Sequence, residues 1–271
     1  MTPLPATVRV DTHFHVFEAG VAVEGARYVP AYAARLDDWW RCARSVGMTH
    51  GVLVHPSAYG DDHSLLLDTL TACPNLRGVV VVQTATQLPL RQLRDQGVRA
   101  ARFSCRSGAG KNFAGSASWD DLCQLAPALA DAGLHAELWT DGQMLPQIAA
   151  QLKTLPVPVV IDHMGSFDVT AGTDSAGFSA LCDVLASGRA WVKLCAYRNL
   201  LNQPDMSAGR LFQERLVQTN PDQLVWGSDW PHLNLAQPPA TLALLDMFRE
   251  WAGNASLVER VLSHNPQRLY A

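Results

Sequence analysis

The sequence predicts an α/β protein of the (β/α)₈ class, the TIM barrel, in which each parallel strand is followed by a helix. Short apolar runs alternate with longer segments of helical period, which favours parallel strands joined by helical crossovers. The runs are continuous in valine, leucine and isoleucine, as strands buried on both faces require. Eight such runs occur, and 271 residues is a typical length for one barrel. We therefore expect one domain over residues 1–271.

Each element follows from this alternation in chain order. The predicted strands cover residues 8–11, 51–55, 78–83, 98–103, 135–139, 157–162, 190–194 and 224–227. The predicted helices cover residues 31–45, 62–72, 87–96, 119–132, 143–152, 178–186, 211–218 and 240–251. Glycine- and serine-rich segments at 104–118 and 165–177 predict long loops after the fourth and sixth strands. An open doubly wound sheet is the alternative, but it needs a glycine-rich turn after its first strand, and residues 12–17 contain no glycine.

Composition and charge exclude several classes of protein. The formal net charge of −4 excludes a nucleic-acid binder that relies on bulk positive charge, because phosphate neutralisation needs a basic surface. No apolar run reaches the roughly 18 residues of a membrane span, and the first residues lack the pattern of a signal peptide. The six cysteines form no C-x-x-C pair, which argues against a zinc ribbon and favours reduced thiols. We expect a cytoplasmic monomer or small homo-oligomer that binds neither nucleic acid nor membrane.

Candidate catalytic groups stand at the carboxyl ends of the predicted strands, which converge on one face of a parallel barrel. His13 and His15 follow the first strand, and residues two apart in extended backbone point the same way, so both rings should project into the barrel mouth. His163 follows the sixth strand and Asp229 the last. Asp162 should point away from His163 if its strand is regular. Packing alone does not explain this set, so we predict that the three histidines and Asp229 form a catalytic site.

Polar residues at other strand ends are candidates for substrate contacts. Arg102 ends the fourth strand and Arg198 lies just past the seventh. An unpaired guanidinium in a barrel mouth is unfavourable, so each either binds an anionic substrate or forms a salt bridge. The candidate salt-bridge partners are Asp11, Glu137 and Asp229. Ser57 has no Gly-x-Ser-x-Gly nucleophile elbow around it, so we expect it to hydrogen-bond a substrate and not to attack one.

Five motifs carry a resemblance to a known family. They are Val-Asp11-Thr-His13-Phe-His15-Val-Phe, Ile-Asp162-His163-Met-Gly, Trp-Val-Lys193-Leu, Leu-Val-Trp-Gly-Ser-Asp229-Trp-Pro-His232 and His264-Asn-Pro-Gln-Arg-Leu-Tyr. They span essentially the whole chain and resemble the amidohydrolase superfamily, more narrowly its 2-pyrone-4,6-dicarboxylate lactonase-like branch. The stretch around Asp229 is the most specific of them, whereas an Asp-x-His-x-His pattern alone would indicate only the superfamily.

The resemblance implies hydrolysis of a small lactone or related cyclic ester by an activated water. In that branch the aspartate after the last strand, here Asp229, is the general base. The histidines of the first and sixth strands, here His13, His15 and His163, polarise the ester carbonyl and orient water. Arginines after the fourth and seventh strands hold substrate carboxylates. The matching positions are Arg102 and Arg198, with Arg106, Ser57, Tyr197 and His232 as further candidates for substrate contacts.

The same three histidines and Asp229 could bind zinc. The resemblance implies, however, that metal-dependent members have a further histidine at the end of the fifth strand, where this chain has Glu137 and Trp139. Arg102 also stands where binuclear members have a bridging lysine. We therefore predict that no cofactor is required, and that one imidazole stays charged beside Asp229 to donate to an oxyanion. The alternative is a zinc- or manganese-dependent hydrolase or decarboxylase, with the ion at His13, His15, His163 and Asp229.

Two further alternatives stay open at this point. A sugar-acid lactone isomerase uses the same set of residues. A non-catalytic barrel that binds a ligand or serves in assembly explains the fold, but it gives no reason for four titratable groups at strand ends.

Overall fold

The computed structural model describes residues 7–86, 88–108 and 113–271, and its eight parallel strands form one sheet in chain order. They are β1 (Val10–Phe14), β2 (His50–Val54), β3 (Leu76–Val81), β4 (Val98–Cys105), β5 (His135–Thr140), β6 (Val159–Ile161), β7 (Ala190–Leu194) and β8 (Leu224–Trp226). The chain after β8 returns to β1, where the Asp229 amide donates to the His13 carbonyl (2.8 Å) and the His15 amide donates to the Trp230 carbonyl (2.9 Å). The sheet is thus a nearly closed barrel, and the predicted (β/α)₈ fold is confirmed.

Helices follow the strands along the chain, as the sequence predicts. They are α1 (Leu36–Ser45), α2 (Ser64–Ala72), α3 (Leu90–Asp95), α4 (Trp119–Ala132), α5 (Leu145–Leu152), α6 (Ala176–Ala186), α7 (Arg210–Thr219), α8 (Thr241–Ala252), α9 (Ala255–Glu259) and α10 (Asn265–Leu269). The first begins at Leu36 and not at residue 31, because Ala34 forms two backbone hydrogen bonds with Phe17 and stays extended. The helix predicted at 87–96 is shorter, and its first residue, Gln87, lies outside the described residues. The last two helices were not predicted, since five residues are too few to show a helical period.

The first strand differs from its predicted limits in a way that matters for the site. It spans Val10–Phe14 and not residues 8–11, so His13 lies within the strand. Its register with β2 shifts between Asp11 and Phe14. Asp11 is directed at the helix layer, where Trp39 of α1 donates to its carboxylate (3.2 Å), and Phe14 stacks on the same indole at 3.7 Å. This packing fixes β1 with the ring of His13 on the barrel side.

The apolar core lies mainly between the strands and the helices. Side chains that alternate with that core along β2 to β4 form a smaller apolar cluster on the interior face of the barrel. Its members are Val10, Val52, Val54, Val79, Ala100 and Tyr270. The carboxyl end of the interior holds polar side chains instead, and the candidate site lies there. No helix in the described ranges has the length and hydrophobicity needed to cross a bilayer.

Gly227, directly after β8, is the point of closest approach to β1, and it offers a test of the barrel closure. A Cβ atom at this position would lie 2.6 Å from Cβ and 3.0 Å from the backbone nitrogen of His13. We expect Gly227→Ala to lower the free energy of unfolding by about 1–3 kcal/mol, because backbone atoms cannot move aside without opening the barrel. Urea unfolding measures the change. Gly142→Ala is the control, since its new Cβ would meet its nearest neighbour at 3.8 Å. Equal stability of the two variants would contradict the tight contact.

Candidate active site

A cavity of about 170 Å³ opens at the carboxyl ends of the strands. Strand ends and the loops that follow them form its walls, which is where barrel enzymes bind their ligands. The polar and charged side chains that line it are His15, Arg27, Tyr28, His55, Ser57, Arg102, Ser104, Ser116, Trp139, His163, Arg198, Asp229 and Asn234. Ser57 therefore lies where the sequence placed it, beside the space for a ligand.

Three imidazoles surround one carboxylate oxygen at the floor of this cavity. The Nε2 atoms of His15, His13 and His163 lie 3.4, 3.6 and 3.7 Å from Oδ1 of Asp229. The Nε2 atoms of His13 and His15 are 3.2 Å apart. All four side chains are buried. The structure thus brings together the four residues proposed as catalytic, while their roles stay a prediction.

Asp229 is held from its other side by two donors. The Tyr197 hydroxyl donates to Oδ2 (2.7 Å), and the Nε–H of Arg198 donates to the same oxygen. Burial raises the pKa of Asp229, but Arg198 and the imidazoles of His15 and His163 outweigh burial and hold this pKa well below its ordinary value. The carboxylate therefore stays ionised, with Oδ1 directed at the imidazoles.

Three predicted substrate contacts have other positions in the structure. The Tyr197 hydroxyl lies 3.2 Å from Nδ1 of His232, and both side chains stand behind the central carboxylate, away from the cavity lining. Arg106 pairs with Asp141 (3.7 Å) and donates to Ser166 (3.1 Å) at a neighbouring cleft. These residues lie at the predicted edge of the barrel, and their roles as substrate contacts stay a prediction.

The turn after β6 explains why Asp162 and His163 are oriented differently from the sequence-based prediction. The strand ends at Ile161, and His163, Met164 and Gly165 then adopt φ values of +50°, +54° and +68°. This left-handed conformation is unfavourable for residues that carry a Cβ, and it is concentrated at functional sites in proteins. The turn brings Asp162 and His163 both to the barrel interior. The expectation that they point in opposite directions assumed a regular strand and is wrong.

Asp162 proves to be the partner of Arg102. The Nε and Nη2 atoms of Arg102 lie 2.9 and 2.8 Å from Oδ2 of Asp162. In the described part of the chain, Arg102 pairs with none of the three carboxylates considered from the sequence. Its side chain is still 16% exposed and lines the cavity, so it can also contact a ligand. Arg198, in contrast, pairs with Asp229, which is one of the partners considered.

Burial keeps two of the imidazoles uncharged. It lowers the pKa of His13 well below its ordinary value, and the neighbouring Lys193 acts in the same direction. Burial also lowers the pKa of His15, and a nearby carboxylate only partly opposes that effect. Both rings are therefore neutral near pH 7. The expectation of a charged imidazole is not met at these two positions, and guanidinium groups supply positive charge to the cavity instead.

Asp11 stabilises the chain segment that carries the central carboxylate. Its side chain accepts hydrogen bonds from the backbone N–H (2.8 Å) and the hydroxyl (2.6 Å) of Ser228. It also accepts from Trp39 and from the His13 amide. The first member of the Asp-x-His-x-His pattern thus acts on the outer side of the barrel and fixes β1 against the residue before Asp229.

Several cavity residues were not predicted from the sequence, among them Arg27 and Tyr28 in the loop between β1 and α1. The Arg27 guanidinium lies 4.4 Å from the centroid of the Trp139 ring, and that of Arg106 lies 4.5 Å from it. Arg27 forms no ion pair within the described residues. Periodic patterns identify strands and helices but not the loop side chains that fold over a cavity, so only the presence of an arginine in this loop could have pointed to it.

The imidazole cluster could also hold a divalent ion. Potential ligand atoms of His13, His163 and Asp229 all lie within 4.8 Å of one another, and His15 contacts the same carboxylate oxygen. Two ligand atoms bound to tetrahedral zinc at about 2.0–2.2 Å are about 3.3–3.6 Å apart, close to the separations at this site. The four residues therefore fit the ion considered from the sequence.

Comparisons with known proteins show a family match and similarity to enzymes named as lactone hydrolases. The amidohydrolase family profile matches residues 10–271. A 2-pyrone-4,6-dicarboxylate hydrolase from Comamonas testosteroni is 31% identical, over 98% of this chain and 91% of the relative. A 4-sulfomuconolactone hydrolase from Hydrogenophaga intermedia is 28% identical, over 96% and 88%. A solved structure from Pseudomonas putida, named as a candidate 2-pyrone-4,6-dicarboxylic acid hydrolase, is 29% identical with a TM-score of 0.82 over 98% of both chains.

Proposed function

This chain belongs to the amidohydrolase family, and from that premise we propose that it hydrolyses a small lactone carrying carboxylate groups. One observation carries the proposal: three imidazoles face a single ionised carboxylate oxygen at the floor of a cavity lined by arginines. Relatives that act on a pyrone dicarboxylate and on a sulfomuconolactone support the same class of substrate. The cytoplasmic location and the monomeric or small oligomeric state stay predictions.

Asp229 is the general base of the proposed reaction. Its Oδ2 is taken up by Tyr197 and Arg198, so Oδ1 is the atom that can accept a proton. The ion pair with Arg198 keeps the carboxylate ionised but also makes it a weak base. A substrate carboxylate that binds Arg198 competes with Asp229 for the guanidinium. Asp229 therefore gains basicity when the substrate is in place.

The reaction then proceeds by addition and elimination. The oxygen of a water molecule bonds to the ester carbonyl carbon while Asp229 accepts one proton from that water. The carbonyl oxygen becomes negatively charged, and the N–H groups of His13 and His163 stabilise it as hydrogen-bond donors. The carbonyl re-forms as the bond between the carbon and the ring oxygen breaks. The proton held by Asp229 passes to the leaving ring oxygen, so one water is consumed and an open-chain acid is released.

The charges of the cavity favour a substrate with two anionic groups. Arg102 and Arg198 are each already paired with an aspartate. Only the remaining N–H donors of each guanidinium can therefore bind a ligand. Arg27 lines the same cavity without an ion pair among the described residues. An anionic group on the substrate would complete its coordination. We therefore assign Arg27 to a second anion, in addition to the one held by Arg198.

We further propose that the enzyme requires no metal. A divalent ion bound by the imidazole cluster would polarise the ester carbonyl as a Lewis acid. Metal-ligating histidines, however, ordinarily donate their second ring N–H to a carboxylate or carbonyl. The nearest polar neighbour of Nδ1 of His13 is instead the ammonium of Lys193 at 3.2 Å, which has no lone pair to accept that hydrogen, while the carboxylate of Asp162 is farther away at 3.5 Å. Glu137 and Trp139 at β5 support the same conclusion, because neither supplies the further imidazole.

The substitution Asp229→Asn tests whether Asp229 is the general base. Asparagine keeps the shape of the side chain but cannot take a proton from water, so we expect kcat to fall at least about 100-fold. A pH-stat screen of carboxylated lactones measures the rate, and product analysis separates hydrolysis from the alternatives of isomerisation and decarboxylation. Asp68→Asn on the exposed face of α2 is the control and should leave kcat unchanged. Retained turnover in Asp229→Asn would remove the proposed base.

Arg27→Met tests the assignment of the second anion. Methionine fills similar space without charge, so KM for a lactone with two anionic groups should rise about tenfold, the loss of one hydrogen bond to a charged group. KM for the corresponding lactone with one anionic group should change much less. Steady-state kinetics with the matched pair of substrates gives both values, and Arg41→Met on the exposed face of α1 controls for loss of charge. An equal effect on both substrates would contradict the assignment.

Dialysis against a chelator tests whether the activity requires a metal ion. We expect kcat and KM to stay unchanged after chelation, and elemental analysis of the same sample to show no stoichiometric zinc or manganese, because the proposed chemistry uses only side chains. A zinc-dependent hydrolase dialysed in parallel shows that chelation was effective. Activity that is lost on chelation and returns with either ion would establish the metal-dependent alternative.

A further inference from the structure

A buried cationic group lies beneath the imidazole cluster, towards the amino end of the barrel. The ammonium of Lys193 on β7 is fully buried. Three acceptors surround it: Oε2 of Glu137 at 2.6 Å, Nδ1 of His13 at 3.2 Å and Oδ1 of Asp162 at 3.4 Å. Glu137 and His13 accept hydrogen bonds from this ammonium, and Asp162 forms an ion pair with it. These three contacts fix Lys193 directly below the site.

The hydrogen bonds of the two rings above Lys193 determine where their hydrogens lie. Nδ1 of His15 is 2.8 Å from the carbonyl oxygen of Val54, which can only accept, so this nitrogen carries a hydrogen. A neutral His15 then has a bare Nε2. The neighbour of that bare nitrogen is Nε2 of His13, at 3.2 Å. This contact favours a His13 ring that donates through Nε2.

A neutral His13 with its hydrogen on Nε2 has a bare Nδ1, and two groups compete for that nitrogen. Lys193 donates to it and so stabilises this tautomer. Oδ1 of Asp162, at 3.5 Å, would stabilise the opposite tautomer, with hydrogen on Nδ1. In that case two bare Nε2 atoms would face each other across 3.2 Å and repel. The shorter contact with Lys193 favours the first arrangement.

We propose that Lys193 is a positioning residue that holds His13 in the tautomer with hydrogen on Nε2, on the side of the ring that faces Asp229. In this form His13 donates to the developing oxyanion while it stays neutral; in the other form it has no hydrogen to donate there. The catalytic consequence rests on the proposed hydrolase activity, whereas the tautomer itself does not.

Glu137 and Tyr270 hold the ammonium in place from below. Oε2 of Glu137 makes the shortest contact with Lys193, and Oε1 accepts a hydrogen bond from the Tyr270 hydroxyl (2.8 Å). The Tyr270 ring packs edge-on against His135, with centroids 5.1 Å apart. A continuous set of contacts thus runs from the end of the chain, through the barrel interior, to the imidazole of His13.

Histidine side-chain ¹⁵N–¹H correlation NMR tests the inference directly, with the His13 signals assigned from a His13→Gln spectrum. Lys193→Met alone leaves buried carboxylates without their cation and risks misfolding, so the decisive variant is Lys193→Met/Glu137→Gln, which removes both charges of the pair. We expect hydrogen on Nε2 of His13 in the wild-type protein and on Nδ1 in the double variant. In the double variant kcat should fall about 100-fold, as for the loss of one oxyanion donor, with KM changed less than about threefold.

His135→Phe is the matched control, because it lies at the same end of the barrel, keeps a ring against Tyr270 and does not touch His13. It should keep both the wild-type tautomer and kcat. Hydrogen on Nδ1 of wild-type His13, or an unchanged tautomer in the double variant, would overturn the inference, and so would a changed tautomer with unchanged kcat. A wild-type protein without lactonase activity would count against the proposed function, while the NMR result would still decide whether Lys193 sets the tautomer.

Discussion

The structure depends on one constraint, that a carboxylate taken into the barrel must find donors or a cation there. Four acids lie in or against the barrel wall, and each meets this constraint differently. Asp11 uses neutral N–H and O–H donors, Glu137 uses Lys193, Asp162 is shared by Lys193 and Arg102, and Asp229 uses Tyr197 and Arg198. Since only Asp229 leaves one oxygen facing both the imidazoles and the cavity, the partners of the acids, more than the acids themselves, decide where a reaction can occur.

The backbone contributes the second condition for the site. Strands β6 and β8 are only three residues long, and the chain leaves each of them through left-handed residues, His163 after the first and Asp229 after the second. A regular strand would have sent alternate side chains to opposite faces. The turns instead bring an imidazole and a carboxylate onto the same floor as His13 and His15. Local strain and the convergence of the four groups are therefore parts of one arrangement.

Much of this could be predicted from the sequence, and the reason is periodicity. Buried parallel strands require continuous apolar runs, and their carboxyl ends must meet, so the barrel and the meeting of His13, His15, His163 and Asp229 follow from position along the chain. The direction of side chains beyond a strand end depends on turn geometry that no period encodes. For this reason Asp162, Tyr197 and His232 could be located but not oriented.

Other features could not be predicted because they join parts of the chain that no local pattern connects. Arg27 reaches the cavity from the loop before α1, and Tyr270 reaches Glu137 from the last turn of the chain. The neutral state of His13 and His15 was also missed, because it follows from the depth of burial. The sequence alone identifies the side chains that can take part in catalysis, whereas their protonation states depend on the packing around them.

The left-handed residues at the floor also restrict how this enzyme can diversify. Aspartate, asparagine, histidine and glycine tolerate such a conformation, whereas β-branched residues do not. His163 and Asp229 are both of the tolerated types. Laboratory evolution toward new substrates therefore has few accepted replacements at the floor and many in the loop around Arg27. We therefore expect new specificities to arise at the rim, while the backbone conformation restricts substitutions at the floor of the cavity.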